Sequence, residues 1–143
     1  MRFDQVKITA ENPERLARFY EEALDAKTVL PLSVLNPEAS RGVGIPDAEV
    51  SILVLELSDN EDAPTLELIS ISGASSGWDH RPGQGQLAFR VDDVHQAAQR
   101  VVTAGGSFQG EIVDFTGPSG RESRFVFMAD PEGNIVDLWT GID

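Results

Sequence analysis

The sequence contains no cysteine and only two histidines among its 143 residues. The absence of cysteine excludes disulfide bridges, thiolate metal sites and cysteine nucleophiles. His80 lies in a connector rich in small residues, and His95 lies in the first turn of a predicted helix. The two are not at metal-ligand spacing, so the sequence offers no imidazole pair for a metal centre.

Basic side chains are also scarce, since 11 Lys and Arg stand against 24 Asp and Glu, a formal net charge of −13. Such a charge repels nucleic acid and anionic membranes and favours cationic ligands. No apolar run approaches the roughly 20 residues of a membrane-spanning helix. The N-terminal stretch MRFDQVKITAENPER has no signal-peptide pattern. We therefore expect a cytoplasmic protein that binds neither nucleic acid nor membranes.

The first half of the sequence predicts a strand, a helix and three further strands. Residues 5–10 alternate between apolar and polar side chains, which is typical of a strand with one buried face. Asn12 followed by Pro13 predicts a helix start, with apolar residues at helical spacing after it. The three further strands are predicted near residues 27–33, 48–57 and 64–71.

The same pattern repeats after a connector of small residues at positions 73–85. Residues 86–91 predict a strand, and Asp93, with Gln96 three positions later, predicts the start of a second helix. Gly105 and Gly106 predict its end. Three further strands are predicted near residues 109–116, 123–129 and 135–140. The chain therefore reads as two βαβββ units.

Polar side chains occupy matching positions in the two units. Gln5 matches Gln86 on the first strand, and Glu67 matches Asp137 on the last strand. Glu67 lies between Leu66 and Leu68, and Asp137 lies between Val136 and Leu138. A polar residue flanked by apolar ones on a strand is expected to face away from the helix-packed core. If the sheets curl, all four point into one cavity.

Several stretches of the sequence resemble the vicinal oxygen chelate superfamily, which includes glyoxalase I, methylmalonyl-CoA epimerase, extradiol dioxygenases, fosfomycin-resistance enzymes and bleomycin-resistance proteins. These stretches are DQVKITAENPERLARFYEEAL, PTLELI, GQLAFRVDDV and ADPEGNIVDLWT. The resemblance implies an α+β fold in which two tandem βαβββ modules form a curled eight-stranded mixed sheet around a cavity. We expect one such domain over residues 1–143, with modules at about 1–72 and 84–143.

The resemblance also implies a metal site, because many members bind a divalent ion through the first and last strand of each module. Those positions are Gln5, Glu67, Gln86 and Asp137, and only Glu67 matches the usual histidine and glutamate pattern. Amide and carboxylate oxygens suit hard ions. We therefore expect either no cofactor or a weakly held Mg or Mn ion, in preference to Zn or Fe. An iron extradiol dioxygenase is disfavoured because its two histidine ligands are missing.

Basic neighbours offer an alternative to a metal. Strand alternation places Lys7 and Arg90 on the same faces as the two glutamines, where they would pair with Glu67 and Asp137. The glutamines would then complete the hydrogen-bond network, and we favour this metal-free arrangement. The side chains expected to line the cavity and contact the ligand are Lys7, Thr9, Ile69, Trp78, Arg90 and Trp139.

Two functions agree with these patterns. The favoured one is a small-molecule-binding protein of the glyoxalase/bleomycin-resistance type, which sequesters a partly aromatic, cationic ligand. The alternative is a divalent-metal-dependent lyase, isomerase or epimerase in which Glu67 or Asp137 moves a proton next to a carbonyl. The sequence does not decide whether the protein is an enzyme. The resemblance further implies a homodimer, with the cavity either within one chain or shared between two.

Overall fold

The computed structural model describes residues 5–35, 39, 47–60, 63–73, 83, 85–116 and 122–142. Within these residues the helices are α1 (Pro13–Leu24) and α2 (Val94–Thr103). The strands are β1 (Gln5–Thr9), β2 (Lys27–Val34), β3 (Glu49–Glu56), β4 (Thr65–Ser72), β5 (Gln86–Arg90), β6 (Ser107–Phe108), β7 (Val113–Thr116), β8 (Glu122–Ala129) and β9 (Ile135–Gly141). None of the helices in this part of the chain is both long and apolar enough to span a membrane.

Each half of the chain forms its own mixed sheet. The first has the strand order β1-β4-β3-β2, and the second has the order β5-β9-β8-β6 with β7 also paired to β8. In both sheets the first strand of the unit lies at an edge and runs parallel to the last strand. The other pairings are antiparallel. This common order confirms the α+β fold with two copies of one unit.

Both helices begin at the residues that the sequence predicts. The Asn12 side chain accepts a hydrogen bond from the Arg15 backbone N–H at 2.9 Å, and Pro13 follows as the first helical residue. The Asp93 carboxylate accepts from the backbone N–H groups of His95 and Gln96. These caps satisfy donors that a helix start leaves unpaired.

The strand predicted at residues 109–116 differs in the structure, where β6 and β7 replace it. The backbone N–H groups of Gln109 and Gly110 both donate to the Phe127 carbonyl, at 2.9 and 3.0 Å. Two successive donors on one acceptor interrupt the ladder in the manner of a β-bulge. The predicted strand therefore covers β7 but misses β6, and it includes residues 109–112, which belong to neither strand.

One face of each sheet packs against the helices to form the core. Fully buried core side chains come from α1, α2 and both sheets, and they include Leu16, Phe19, Val101, Leu55, Leu66, Leu68, Val126, Met128, Val136 and Leu138. Because strand side chains alternate, the residues between these positions face the other side of each sheet. We call these two surfaces, opposite the core, the ligand faces of the first and second sheet.

Polar contacts join the two halves at the turn between β8 and β9. The Glu132 carboxylate accepts from the backbone N–H groups of Glu11 and Asn12, each at 2.8 Å, just before α1. The Tyr20 hydroxyl donates to Asp130 at 2.9 Å. Burial is the main cause that raises the pKa of Tyr20 above its ordinary value, and the neighbouring Asp130 raises it further. Tyr20 therefore serves as a neutral hydrogen-bond donor between the halves.

Candidate functional site

Glu67 is a buried carboxylate on the ligand face of the first sheet. It lies in the middle of β4 and is 4% exposed. The Lys7 ammonium donates to its Oε1 at 2.7 Å, and the Gln5 Nε2 donates to its Oε2 at 3.0 Å. Lys7 lies directly beside Glu67 in the parallel register of β1 and β4. The predicted pairing of Lys7 with Glu67 is therefore present, with Gln5 completing the network.

Asp137 occupies the matching position on the second sheet but has different surroundings. Its Oδ1 is buried and has no hydrogen-bond partner among the residues that the structure describes. Burial raises the pKa of Asp137 above its ordinary value, because desolvation disfavours the charged carboxylate. The strand register places Asp137 between Ala88 on β5 and Phe127 on β8, neither of which offers a side-chain donor. Within the described part of the chain, Asp137 is thus a carboxylate without a basic side chain paired to it.

Arg90 contacts Trp139 instead of pairing with Asp137 as the sequence predicted. Its guanidinium carbon lies 5.4 Å from the centroid of the Trp139 ring, a cation–π contact. The cause is the register of β5 and β9, in which Trp139 is the cross-strand neighbour of Arg90 and Ala88 is that of Asp137. The alternation of β5 put Arg90 on the correct face, but a sequence does not reveal which residue lies opposite.

Three aromatic residues share the ligand face of the second sheet with Asp137. Phe127 lies opposite Asp137 and Phe125 lies opposite Trp139 in the pairing of β8 with β9. The two phenylalanine rings meet edge to face with centroids 6.0 Å apart, and Trp139 is 36% exposed. Phe125 and Phe127 were not among the residues predicted to line the cavity. The signal was the apolar run FVFM in β8, because such a run indicates that both faces of a strand meet apolar material.

The remaining predicted residues divide between the two sheets. Thr9 and Ile69 are cross-strand neighbours on the ligand face of the first sheet. Gln86 is exposed on β5 opposite Ile135, and its side chain has no hydrogen bond within the described part of the chain. Trp78 and His80 lie outside the described residues. His95 is exposed in the first turn of α2, and that helix packs on the core side of the sheets, opposite the ligand faces.

The side chains at the four matching positions do not fit a resident divalent ion well. Both oxygens of Glu67 already accept hydrogen bonds, one of them from an ammonium. A metal at Glu67 would have to displace that cation or lie beside it against charge repulsion. The described residues contain no group of three His, Cys, Asp or Glu side chains placed to hold a metal. The set also lacks the imidazoles that transition metals prefer.

Comparison with known proteins gives matches along nearly the whole chain. The family model of the Glyoxalase/Bleomycin resistance protein/Dioxygenase superfamily matches residues 2–138. The lactoylglutathione lyase of Neisseria meningitidis is 24% identical over 139 residues, which cover 96% of this chain and 89% of that protein.

Solved structures show the same fold. A glyoxalase family protein from Bacillus cereus superposes with a TM-score of 0.80 at 21% identity, covering 100% of this chain and 95% of that one. The trypanothione-dependent glyoxalase I of Leishmania major gives a TM-score of 0.63 at 22% identity, covering 98% and 86% of the two chains. Glyoxalase I from Zea mays gives 0.68 at 19% identity, and this chain spans 45% of its length.

Proposed function

We propose that this chain, which belongs to the Glyoxalase/Bleomycin resistance protein/Dioxygenase superfamily, binds a small molecule without a resident metal ion. The ligand would lie on the ligand faces of the two sheets. The proposed ligand is partly aromatic and carries a cationic or N–H-bearing group. The role that agrees best with such a site is sequestration of the ligand.

The observation that carries this proposal is the buried Oδ1 of Asp137, which accepts no hydrogen bond from any described residue and lies on the same sheet face as Phe127 and Trp139. A buried polar atom without a partner costs about 1–3 kcal/mol. A ligand that stacks on Trp139 and donates a hydrogen bond to Asp137 removes that cost, so the binding energy comes from apolar contact and from a satisfied carboxylate. The net charge of −13 adds a long-range attraction for a cation.

The Asp137 and Trp139 roles can be tested with phenethylamine, an aromatic cation. Saturable changes are expected in the backbone amide shifts of β5, β8 and β9 and in the fluorescence of a Trp78→Phe variant that retains Trp139. Asp137→Asn should weaken binding by roughly tenfold, the loss of one charge-assisted hydrogen bond. Asp92→Asn is the matched control, because Asp92 is an exposed acid outside both ligand faces. Equal affinity of Asp137→Asn and wild type would contradict the proposal.

A second candidate function is a lyase or isomerase, and the similarity to a lactoylglutathione lyase favours it. Asp137 would then be the residue that moves a proton next to a substrate carbonyl, because its raised pKa brings it closer to neutral pH than an ordinary aspartate. Glu67 is less suited to this step, since Lys7 and Gln5 hold both of its oxygens. Turnover of the hemithioacetal of methylglyoxal and glutathione, lost in Asp137→Asn, would favour this function over sequestration.

We also propose a homodimer, and the edge strand β2 supports it. Val29, Leu30, Leu32 and Val34 are all exposed on this strand, which has β3 as its one neighbour among the strands that the structure describes. An exposed apolar edge favours association with another chain. Light scattering coupled to gel filtration should give twice the 15.5 kDa chain mass, and Val34→Lys should shift the protein toward the monomer. A cytoplasmic location stays a prediction from the sequence.

A further inference from the structure

The first sheet holds a buried carboxylate that is neutralised from within the chain. Glu67 is 4% exposed, and the Lys7 ammonium lies 2.7 Å from its Oε1. The two residues are cross-strand neighbours, so the pairing of β1 with β4 brings the charges together. A buried carboxylate requires such a partner, and here the fold supplies it without recruiting an ion.

This pairing conflicts with a divalent ion at the same carboxylate. Gln5 donates to the second oxygen of Glu67 at 3.0 Å, so both oxygens already accept a hydrogen bond. An ion bound there would lie within a few ångströms of the ammonium, where like charges repel strongly at a partly buried site. Lysine at position 7 therefore disfavours the metal-bound state.

Lys7 also keeps hydrogen-bonding capacity that Glu67 does not use. An ammonium has three N–H donors, and within the described part of the chain Glu67 is the partner that Lys7 contacts. The Lys7 side chain is 51% exposed, so a ligand on the first sheet can reach it. Thr9, the next residue on that face of β1, adds a half-buried hydroxyl. The result is a fixed positive position that can bind an anionic oxygen.

We propose that Lys7 is a built-in cation that takes the place of a divalent ion at Glu67 and binds a carboxylate or similar oxyanion of the ligand. This inference rests on the proposed function and adds the class of group that the first sheet recognises.

Mn²⁺ binding tests the first part of the inference, measured by electron paramagnetic resonance on wild type, Lys7→Met and Lys27→Met. Lys27 is the matched control, because it forms a 2.6 Å ion pair with Asp59 on the exposed surface. Lys7→Met is expected to bind Mn²⁺ at least tenfold more tightly than wild type, and Lys27→Met is expected to match wild type. Equal binding by all three proteins, or near-stoichiometric binding by wild type, overturns the inference.

The double variant Lys7→Met/Glu67→Gln guards against a folding defect. It removes both charges, so it leaves no unpaired buried carboxylate. It should fold even if Lys7→Met does not, and it should bind Mn²⁺ no more tightly than wild type. Tight Mn²⁺ binding by the double variant would show that Glu67 is not the group that Lys7 neutralises, and would overturn the inference.

Phenylacetate tests the second part, with phenethylamine as the probe of opposite charge. Phenylacetate should give saturable amide shifts in β1 and β4 of wild type and Lys27→Met. Binding should weaken by roughly tenfold in Lys7→Met and in the double variant. If phenethylamine shifts the second sheet while phenylacetate shifts neither sheet, the inference is overturned and the proposed function stands. If neither probe shifts either sheet, both are overturned.

Discussion

Glu67 and Asp137 occupy matching strand positions, yet their carboxylates have different hydrogen-bond partners. Glu67 accepts from Lys7 and Gln5, whereas the Oδ1 of Asp137 has no partner in the described part of the chain. The difference follows from the residue across the strand, which is Lys7 for Glu67 and Ala88 for Asp137. We therefore propose that the first sheet, where Lys7 neutralises Glu67, and the second sheet, where Asp137 lies, bind different groups of the ligand.

The pKa of Asp137 leads to a prediction about stability and pH. Folding raises this pKa above its ordinary value of 3.8, so folding favours the protonated form. The stability contributed by Asp137 is thus fully present below pH 3.8 and is lost as the pH rises through the folded-state pKa. Asp137→Asn should therefore be more stable than wild type at neutral pH, by about 1 kcal/mol or less given partial solvent screening.

Thermal denaturation of wild type and Asp137→Asn across the acid range checks this prediction. The gain in Asp137→Asn should shrink as the pH falls through the folded-state pKa, because wild type then carries a neutral carboxyl as well. Asp92→Asn, at an exposed position, should show no such gain. A stability difference that is independent of pH would contradict the assignment.

The Lys7–Glu67 pair predicts a second stability effect. Lys7→Met leaves a buried carboxylate unpaired and should cost about 1–3 kcal/mol, less than a fully buried pair because Lys7 is half exposed. The double variant Lys7→Met/Glu67→Gln should recover most of that loss. Urea unfolding of both variants measures the difference. If the single variant is as stable as the double variant, the pair does not neutralise Glu67 in the folded state.

Strand alternation in the sequence predicted which side chains of the candidate site share a sheet face, but not which residues lie opposite each other. Alternation placed Lys7 with Gln5 and Arg90 with Gln86 on common faces, and the Lys7–Glu67 pair followed. The contact between Arg90 and Trp139 did not follow, because register depends on how two distant strands align. Phe125 and Phe127 were missed for a different reason, because the apolar run of β8 was interpreted as core alone although such a run indicates apolar contacts on both faces of the strand.

At the scale of elements, the helix starts were the most predictable features. Asn12 with Pro13, and Asp93, act through their own backbone neighbours, so local sequence is sufficient. The break between β6 and β7 was not predictable in the same way. It depends on the Phe127 carbonyl accepting from both Gln109 and Gly110, a contact between strands that are distant in sequence.

Glu132 provides a test of how the two halves are joined. Its carboxylate accepts from two backbone N–H groups at the start of α1, where a negative charge is also favoured by the helix dipole. Glu132→Ala should lower the free energy of unfolding by about 1–2 kcal/mol, comparable to the loss of a helix cap. Glu22→Ala, on the exposed side of α1, is the control and should change stability little. Equal effects of the two substitutions in chemical denaturation would contradict the joining role of Glu132.

At the scale of the whole molecule, two copies of one unit present two unlike ligand faces. The first carries a fixed cation at Lys7, and the second carries Asp137, whose Oδ1 has no hydrogen-bond partner among the described residues, on the same face as Phe127 and Trp139. The superfamily model matches residues 2–138, and polar side chains recur at matching strand positions of the two units. The particular side chains present, rather than the fold, lead us to propose binding without a metal.

Metal content is the most direct test of that central claim. The protein is purified without a metal-affinity tag and analysed by plasma mass spectrometry, then analysed again after incubation with Mg, Mn, Co, Ni and Zn and removal of free ions. Wild type is expected to retain far less than one ion of any of these metals per chain, with phenethylamine binding unchanged by EDTA. A near-stoichiometric ion that is retained by wild type and lost in Glu67→Ala would contradict it.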